Sequence, residues 1–376
     1  MKSVNVEVCR GELASKIDAW LLQNKFPRNG NVVSQQVGFQ VAVYDEGELV
    51  LNKAYGCSRR APLQDGKRQD GRQGTPMRVS HRNRFASNTK KFTGVMLSYY
   101  LRKMKIPLFT SIKDLCPGCD VPEEQGGLGW YENPHGFRAP TIWQTVCHRA
   151  GFRRDAYVLD HDPYDAATGL QYSNSGIRVA AMLLEAVAGK SAEEMWEEVF
   201  QPRKTGLNGL SLSGKSRFLD KRRHPLAYCY NRELLDDAYL WKEARTPNFK
   251  VSYSGSIRGT AEQVARCNMI FCDGGVYKGR QIVPRPVIDE VFRPMTFGYT
   301  NGYYGFMTGF RMLEAVNMVI PWHYHTGSLW AKSYTGFTRW PRRLAFAWVH
   351  TSPVDVWHDT MIKLITDNLT GAAYGE

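Results

Sequence analysis

The chain has 376 residues, which exceeds one small domain and predicts two structural units or one large composite unit. Hydrophobic residues make up 43% and charged residues 23% of the chain, a composition that excludes intrinsic disorder. Lys and Arg outnumber Asp and Glu by 49 to 36, and the formal net charge is +13. Such a charge is compatible with nucleic acid, an anionic surface or an acidic ligand as partner.

The first residues of the chain contain information on its cellular compartment. The first ten residues contain no apolar run of signal-peptide length, and no later stretch approaches the roughly 18 apolar residues of a membrane span. We therefore expect a cytoplasmic protein without a membrane partner. Eight scattered cysteines then predict reduced thiols rather than disulfides. Cys116 and Cys119 form a lone C-x-x-C around a Pro-Gly turn, so we expect no metal and no other cofactor.

The first elements are a helix and a hairpin. Leu13, Ile17 and Trp20 share one helical face, which predicts an amphipathic helix over residues 11–24. Residues 39–44 and 49–55 are rich in β-branched and aromatic side chains around a Gly-containing turn, as is typical of a β-hairpin. A sheet therefore begins here.

A basic segment follows the hairpin. Eight Lys or Arg and two Asp lie between Arg59 and Arg84, in a Gly- and Gln-rich stretch. The segment is either a solvated loop or a docking surface for phosphate or carboxylate groups. No aromatic residues are interleaved with these charges, so nucleic-acid binding is not favoured.

The remaining periodicities predict helices in the middle of the chain and both helices and strands in its last third. Residues 87–104, 174–188, 191–200, 260–273, 284–292 and 355–369 have helical patterns, and residues 305–314, 317–326, 331–339 and 343–351 have strand patterns. We predict an α/β protein with an antiparallel sheet. Residues 1–90 and 251–376 form the sheet domain, residues 91–250 form a mostly helical subdomain, and the active site lies in the groove between them.

Ser87 and Lys90 are candidates for nucleophile and base. Serine is a poor nucleophile at neutral pH and needs a base within hydrogen-bond reach. Residues three apart lie on one helical face, so Lys90 can reach Ser87, provided that burial or a second cation lowers its pKa. The spacing by itself is common by chance and favours a helix-capping serine beside surface lysines.

Two further polar motifs occur later in the chain. Tyr172 and Asn174 directly precede an apolar helix, so a phenol and a carboxamide are presented at a helix start. His325, Thr326 and Gly327 end a strand-like run, where a glycine lets a substrate approach the backbone.

In this order the motifs resemble those of the serine β-lactamase and DD-peptidase superfamily, which includes class C β-lactamases, related esterases, D-aminopeptidases and lovastatin-type acyltransferases. The resemblance extends to "TIWQTVCHRAGF" at residues 141–152 and to "SGSIRGTAEQVARC" at residues 254–267. It covers most of residues 36–352 and implies a β-lactamase-like fold with N- and C-terminal helices flanking the sheet.

The resemblance also implies a role for each motif. Ser87 would be acylated, Lys90 would help to deprotonate it, and Tyr172 would act as acid and base, as a phenolate or through Lys90. Asn174, His325, Thr326 and Gly327 would bind and orient the substrate. The backbone N–H groups of Ser87 and Ser328 would form the oxyanion hole, where each donor is typically worth about 3 kcal/mol of barrier.

The third motif departs from the usual Lys-Thr-Gly of this superfamily. An imidazole at His325 makes attraction for a substrate carboxylate weaker and pH-dependent, so a penicillin-type substrate is not favoured. His148 replaces nothing catalytic in the pattern and is expected to be structural.

We therefore expect a serine acyl-enzyme catalyst acting on an ester, amide or thioester acyl donor, with water, an amine or an alcohol as acceptor. It would be an esterase or amidase, or an acyltransferase of metabolism or biosynthesis. The alternative is a protein that kept the fold as a binding module or scaffold and lost the reaction. Sequence leaves the acyl group, the acceptor and the oligomeric state open.

Overall fold

The structure is a computed structural model, and it describes residues 8–24, 38–59, 63–64, 67–68, 75–167, 169–212, 251–299, 302–315, 318–329, 331–351, 362 and 365. The helices of these residues are α1 (Gly11–Asn24), α2 (Thr89–Lys103), α3 (Ile112–Leu115), α4 (Ile142–Val146), α5 (Asn174–Ala188), α6 (Ala192–Phe200), α7 (Pro202–Thr205), α8 (Ala261–Cys272) and α9 (Arg285–Val291). Short 3-10 helices span Ala86–Asn88 and Glu123–Gln125.

Among the described residues, one large sheet contains the strands β1 (Val8–Cys9), β2 (Phe39–Asp45), β3 (Glu48–Tyr55), β12 (Thr296–Tyr299), β13 (Gly302–Tyr304), β14 (Gly309–Ala315), β15 (Met318–Leu329), β16 (Ala331–Thr338) and β17 (Leu344–His350). These nine strands are antiparallel, and their order across the sheet is β1-β3-β2-β17-β16-β15-β14-β13-β12. The remaining short strands pair two by two: β4 (Cys57–Arg59) with β7 (Thr75–Pro76), β5 (Leu63–Gln64) with β6 (Lys67–Arg68), β8 (Asn83–Arg84) with β9 (Arg258–Gly259), and β10 (Val276–Tyr277) with β11 (Arg280–Gln281).

The sheet joins the two ends of the chain. Strand β2 pairs with β17 from Phe39 opposite His350 to Asp45 opposite Leu344. Every residue of β17 is buried, because both faces of the strand are covered. Its side chains alternate between two hydrophobic cores: Ala345 and Ala347 belong to the core shared with the helices, and Phe346 and Trp348 to the core on the α1 side. The predicted α/β class with an antiparallel, β-lactamase-like sheet is confirmed.

Helix α2 is the centre of the helical region. The Phe92 ring lies 5.8 Å from that of Trp196, 5.9 Å from that of Phe200 and 5.9 Å from that of Phe271, measured between centroids. Burial of an aromatic side chain of this size contributes about 1.5 to 3 kcal/mol. These contacts pack the N-terminal end of α2 against α6 and α8.

Several elements differ from the prediction. The predicted helix over residues 87–104 begins with a 3-10 turn and becomes α-helical at Thr89. The predicted strand over 305–314 is interrupted, because Gly305 to Thr308 form a turn in which the Gly305 N–H donates to the Thr308 carbonyl at 2.7 Å. Most of the predicted closing helix lies outside the described residues, as does much of the basic segment.

Two arginines of the basic segment are not at the surface. Arg82 and Arg84 are 2% and 6% exposed, and the Arg84 guanidinium donates to the Gly255 carbonyl at 3.0 Å. Burial, with Arg258 nearby, lowers the pKa of Arg82 to about 10. These two side chains therefore belong to the interior rather than to a solvated loop or a docking surface.

Within the described part of the chain, no helix combines the length and the apolar content that crossing a membrane requires. The described cysteines are free thiols at positions 9, 57, 116, 119, 147, 267 and 272.

Candidate active site

Ser87 lies in the 3-10 turn that leads into α2, directly after a residue of unusual conformation. Ala86 has a φ of +46° and is buried. A left-handed conformation costs a residue with a β-carbon about 1 to 2 kcal/mol. Neighbouring segments hold the turn, because the Phe85 N–H donates to the Ile257 carbonyl at 3.0 Å and the Thr89 hydroxyl accepts from the Ile257 N–H at 2.9 Å. The strained turn thus presents Ser87 at a defined place.

Lys90 contacts the Ser87 hydroxyl. Side chains at i and i+3 eclipse in a 3-10 turn, and the Lys90 Nζ lies 2.9 Å from the Ser87 Oγ. The Nζ also donates to the Ser254 carbonyl at 2.9 Å. Complete burial, and next the positive charge of Arg178, hold the pKa of Lys90 well below its ordinary value. The amine therefore loses its proton readily and, once neutral, can accept the Ser87 proton.

Tyr172 completes the group around Ser87. Ser173 caps α5 by accepting from the Gly176 N–H at 2.9 Å, which places Tyr172 just before the helix. The Lys90 Nζ lies 4.9 Å from the centre of the Tyr172 ring. Burial raises the pKa of Tyr172, although a hydrogen bond with the Ser87 side chain opposes this shift. The phenol is therefore protonated at neutral pH and is a proton donor rather than a phenolate.

Strand β15 runs beside the nucleophile turn. A β-carbon at Gly327 would overlap the carbonyl oxygen of Phe85 and the hydroxyl of Ser333, so only glycine fits. The Ser333 hydroxyl donates to the Phe85 carbonyl at 2.9 Å and ties the turn to β16. Gly327 is buried, and Ser328, which follows it, is exposed. The two N–H groups predicted to form an oxyanion hole, those of Ser87 and Ser328, thus belong to adjoining segments.

His325 differs from the expectation of a pH-dependent carboxylate site. Its Nδ1 lies 2.6 Å from the Thr326 carbonyl oxygen, which can only accept, so this nitrogen carries the proton. Its Nε2 then accepts from the Tyr304 hydroxyl at 3.2 Å. Burial, and next the charge of Lys90, lower the pKa of His325 to about 3. The imidazole is 2% exposed and stays neutral at physiological pH.

His148, expected from the sequence to be structural, lies against Tyr172, as does Tyr304, to which the sequence patterns assigned no role. The ring centroid of His148 lies 4.4 Å from that of Tyr172 and 4.6 Å from that of Tyr304. The His148 Nδ1 accepts from the Ser173 N–H at 3.1 Å. Burial, and next Lys90, hold the pKa of His148 well below its ordinary value. A neutral His148 therefore supports the Tyr172 ring and the N-terminus of α5.

The Asn174 side chain is bonded to a loop at the rim of the site. Its carboxamide donates to the Asp155 carboxylate at 2.8 Å, and its N–H donates to the Arg154 carbonyl at 2.7 Å. Asp155 and Arg154 are exposed and follow the segment that contains His148. The side chain that the resemblance assigned to orienting substrate and lysine is therefore coupled to a charged loop at the rim.

Lys91, the neighbour of Lys90 in the sequence, is buried beneath the site. Its Nζ donates to the Asn268 carboxamide oxygen at 2.6 Å and also to the Thr335 hydroxyl. Thr335 in turn donates to the Asn88 carboxamide oxygen at 2.6 Å. The Asn88 amide donates to the Ser333 hydroxyl at 2.9 Å, so the network reaches the nucleophile turn. A side chain packed under β16 cannot be recognised from local sequence.

The described residues contain no group of three or more His, Cys, Asp or Glu that could hold a metal ion. What the arrangement offers chemically is a hydroxyl, an amine of lowered pKa and a protonated phenol in mutual contact.

Comparison with known proteins places this geometry in context. A family model described as Beta-lactamase matches residues 31–362. A curated relative from Dichelobacter nodosus, "Probable fimbrial assembly protein FimD, serogroup H1", is 28% identical over 189 residues, which are 45% of this chain and 42% of the relative. The chain thus spans less than half the length of that relative.

Solved structures are similar over nearly the whole chain. The D-amino acid amidase from Ochrobactrum anthropi SV3, in complex with L-phenylalanine amide, has a TM-score of 0.65 at 16% identity and covers 97% of this chain and 100% of its own. A class C β-lactamase has a TM-score of 0.67 at 16% identity and covers 97% of this chain and 96% of its own. At such identities the likeness concerns the fold.

Proposed function

The chain belongs to the Beta-lactamase family, whose members are serine acyl-enzyme hydrolases, and from that premise we propose that it forms an acyl-enzyme on Ser87 from an ester or amide substrate. The observation that carries the proposal is the 2.9 Å contact between the Ser87 Oγ and a buried Lys90 whose pKa is lowered. A lowered pKa does not by itself mark a catalytic lysine, since Lys91 has one too, but Lys90 alone of the two contacts a serine hydroxyl.

In the first half-reaction the Ser87 proton passes to the neutral Lys90 amine while the Oγ attacks the substrate carbonyl carbon. The resulting oxyanion accepts hydrogen bonds from the N–H groups of Ser87 and Ser328. As the carbon–leaving-group bond breaks, the protonated Tyr172 gives its proton to the leaving atom and regains one from Lys90. The products are the acylated serine and the protonated leaving group.

In the second half-reaction water, an amine or an alcohol attacks the acyl-enzyme, with proton transfer through the same side chains and release of Ser87. Hydrolysis and acyl transfer share every residue of the first half-reaction. The names of the fold neighbours, an amidase and a β-lactamase, favour hydrolysis of an amide. The free thiols among the described cysteines suit a reducing compartment, which supports placing the reaction in the cytoplasm.

The test is covalent labelling of the folded protein. A fluorophosphonate probe followed by intact-mass measurement is expected to add one adduct, which peptide mapping assigns to Ser87. The Ser87→Ala variant should give none, whereas the matched variant Ser111→Ala, at the N-cap of α3, should label like the wild type. Absence of an adduct on the folded wild type would favour the scaffold alternative.

Product analysis with a generic ester then separates the two reactions. Hydrolysis gives the free acid whether or not an amine is added. A transferase forms the amide in proportion to the amine, beyond the yield of the uncatalysed reaction.

A further inference from the structure

The rim of the site is fixed by backbone bonds between residues 153–155 and the start of α5. The Arg154 carbonyl accepts from the N–H groups of Asn174 at 2.7 Å and Ser175 at 3.2 Å, and the Ser173 hydroxyl donates to the Arg153 carbonyl at 2.7 Å. Because Ser173 directly follows Tyr172, these bonds place the Arg154 backbone beside the catalytic phenol. The loop is therefore attached to the site by hydrogen bonds on both sides of the start of α5, at Ser173, Asn174 and Ser175.

Two guanidinium groups flank the site at this rim. The Arg154 side chain is 74% exposed, and its Cζ lies 5.9 Å from the centre of the Tyr172 ring. Arg178 lies one helical turn after Asn174, hence on the same face of α5, and its Cζ lies 5.9 Å from the centre of the Tyr157 ring. Both arginines contribute to the lowered pKa of Lys90, which indicates that their charges are felt at the buried amine.

The negative charge at this rim is smaller than the positive charge. Asp155 is 3.7 Å from the Arg154 Nε, a long contact between exposed groups, and its other carboxylate oxygen is engaged by Asn174. The neighbouring Arg153, by contrast, is paired closely with Asp160. One carboxylate, bonded to Asn174 and at long range from Arg154, faces two guanidinium groups and leaves the rim with a positive charge that an incoming anion can neutralise.

We propose that Arg154 and Arg178 form a carboxylate subsite at the rim of the Ser87 site and thereby select acyl donors that carry a carboxylate a few bonds from the reacting carbonyl. A guanidinium binds a planar carboxylate through two parallel N–H donors, so Arg suits this ligand better than Lys, whose ammonium acts as a point charge. This subsite is formed by the loop after His148 and by α5, and it is separate from the His325 strand, whose imidazole is neutral. The inference rests on the proposed acyl-enzyme function.

The test compares two activated esters with the same leaving group, 4-nitrophenyl butyrate and mono-4-nitrophenyl succinate. The wild type is expected to prefer the succinate ester in kcat/KM by about tenfold, the equivalent of about 1.4 kcal/mol. Arg154→Ala and Arg178→Ala should each reduce this preference several-fold, and Arg154→Glu should abolish or reverse it. Asp155→Asn, which can still accept from Asn174, should increase it. The preference should also fall with added salt.

Arg153→Ala is the matched control, because it removes an exposed guanidinium of the same loop that is already paired with Asp160. Its preference should equal that of the wild type. The ratio of kcat/KM for the two esters is the decisive quantity. Losing Arg154 also changes the pKa of Lys90, which alters the rate with both esters alike. A ratio within twofold of the wild-type value in Arg154→Glu and in Arg178→Glu would overturn the subsite.

A binding experiment separates failure of the subsite from failure of the proposed reaction. Calorimetric titration of the Ser87→Ala variant with N-(4-nitrophenyl)succinamic acid and with N-(4-nitrophenyl)butyramide requires no turnover. We expect the acid to bind about tenfold more tightly, and this difference to vanish when Arg154→Glu is added. Equal affinities would reject the subsite, whatever the esters show. Loss of labelling at Ser87 with unequal affinities would reject only the reaction.

Discussion

Replacing Lys91, one of the two buried lysines of α2, by Met is expected to change how stability depends on pH. Complete burial lowers the pKa of Lys91 from 10.5 to about 7. At about 1.36 kcal/mol for each pKa unit, this difference corresponds to about 5 kcal/mol lost from the free energy of unfolding once the amine is protonated in both states. Cys267, which faces Lys91, has a pKa raised by burial and stays protonated over the same range.

The direction follows from proton binding. Between pH 7 and pH 10 the unfolded chain holds a proton on Lys91 that the folded chain has released, so stability rises with pH. The cost is complete below about pH 7 and absent above about pH 10.5. Lys91→Met lacks this dependence. The stability of the variant minus that of the wild type should therefore fall by about 1.36 kcal/mol per pH unit, or by about 2 to 3 kcal/mol from pH 7.5 to pH 9.5.

The substitution also has a cost to stability that does not depend on pH. Methionine fills a similar volume but leaves the Asn268 and Thr335 oxygens without a donor, which costs about 1 to 3 kcal/mol at any pH. Urea unfolding followed by tryptophan fluorescence at pH 7.5, 8.5 and 9.5 measures the slope independently of that constant cost. Lys103→Met, at the exposed end of the same helix, is the control, because an exposed ion pair contributes only about 0 to 1 kcal/mol. A difference constant within about 0.5 kcal/mol across the three pH values would refute the reasoning.

Three further outcomes follow from the site. Gly327→Ala should abolish activity and lower the thermal midpoint, because its β-carbon would displace the Phe85 carbonyl; a variant with wild-type kcat/KM would contradict the packing of β15 on the nucleophile turn. Ala86→Gly should relieve the left-handed strain and raise stability by up to about 1 kcal/mol in chemical unfolding, since glycine adopts a φ of +46° freely but adds entropy to the unfolded chain; a loss of more than about 1 kcal/mol would count against strain at this turn. Because the pKa of His325 is about 3, the wild type and His325→Asn should have acid limbs of kcat/KM at the same pH between pH 5 and pH 8; a limb that disappears only in the variant would show that His325 titrates there.

The sequence by itself was sufficient to predict the helices and strands whose signals lie in neighbouring residues. The helix predicted over residues 174–188 is observed as Asn174–Ala188, because its apolar residues recur at helical spacing and Ser173 is a good N-cap. The antiparallel sheet from both ends of the chain follows from the strand patterns and the family resemblance. The spacing of Ser87 and Lys90 likewise made their contact predictable, since residues three apart face each other in any helical turn.

Only the tertiary structure decided the charge state and surroundings of the polar side chains. Local sequence does not show that Lys90 and Lys91 are both buried. One contacts Ser87 and the other lies beneath β16, because each faces a different element brought in from more than a hundred residues away. His325 is neutral because Tyr304 and the sheet enclose it, and Asn174 turns to Asp155 because the rim loop passes there. Burial sets a pKa, and burial depends on long-range packing that the spacing of residues in the sequence does not contain.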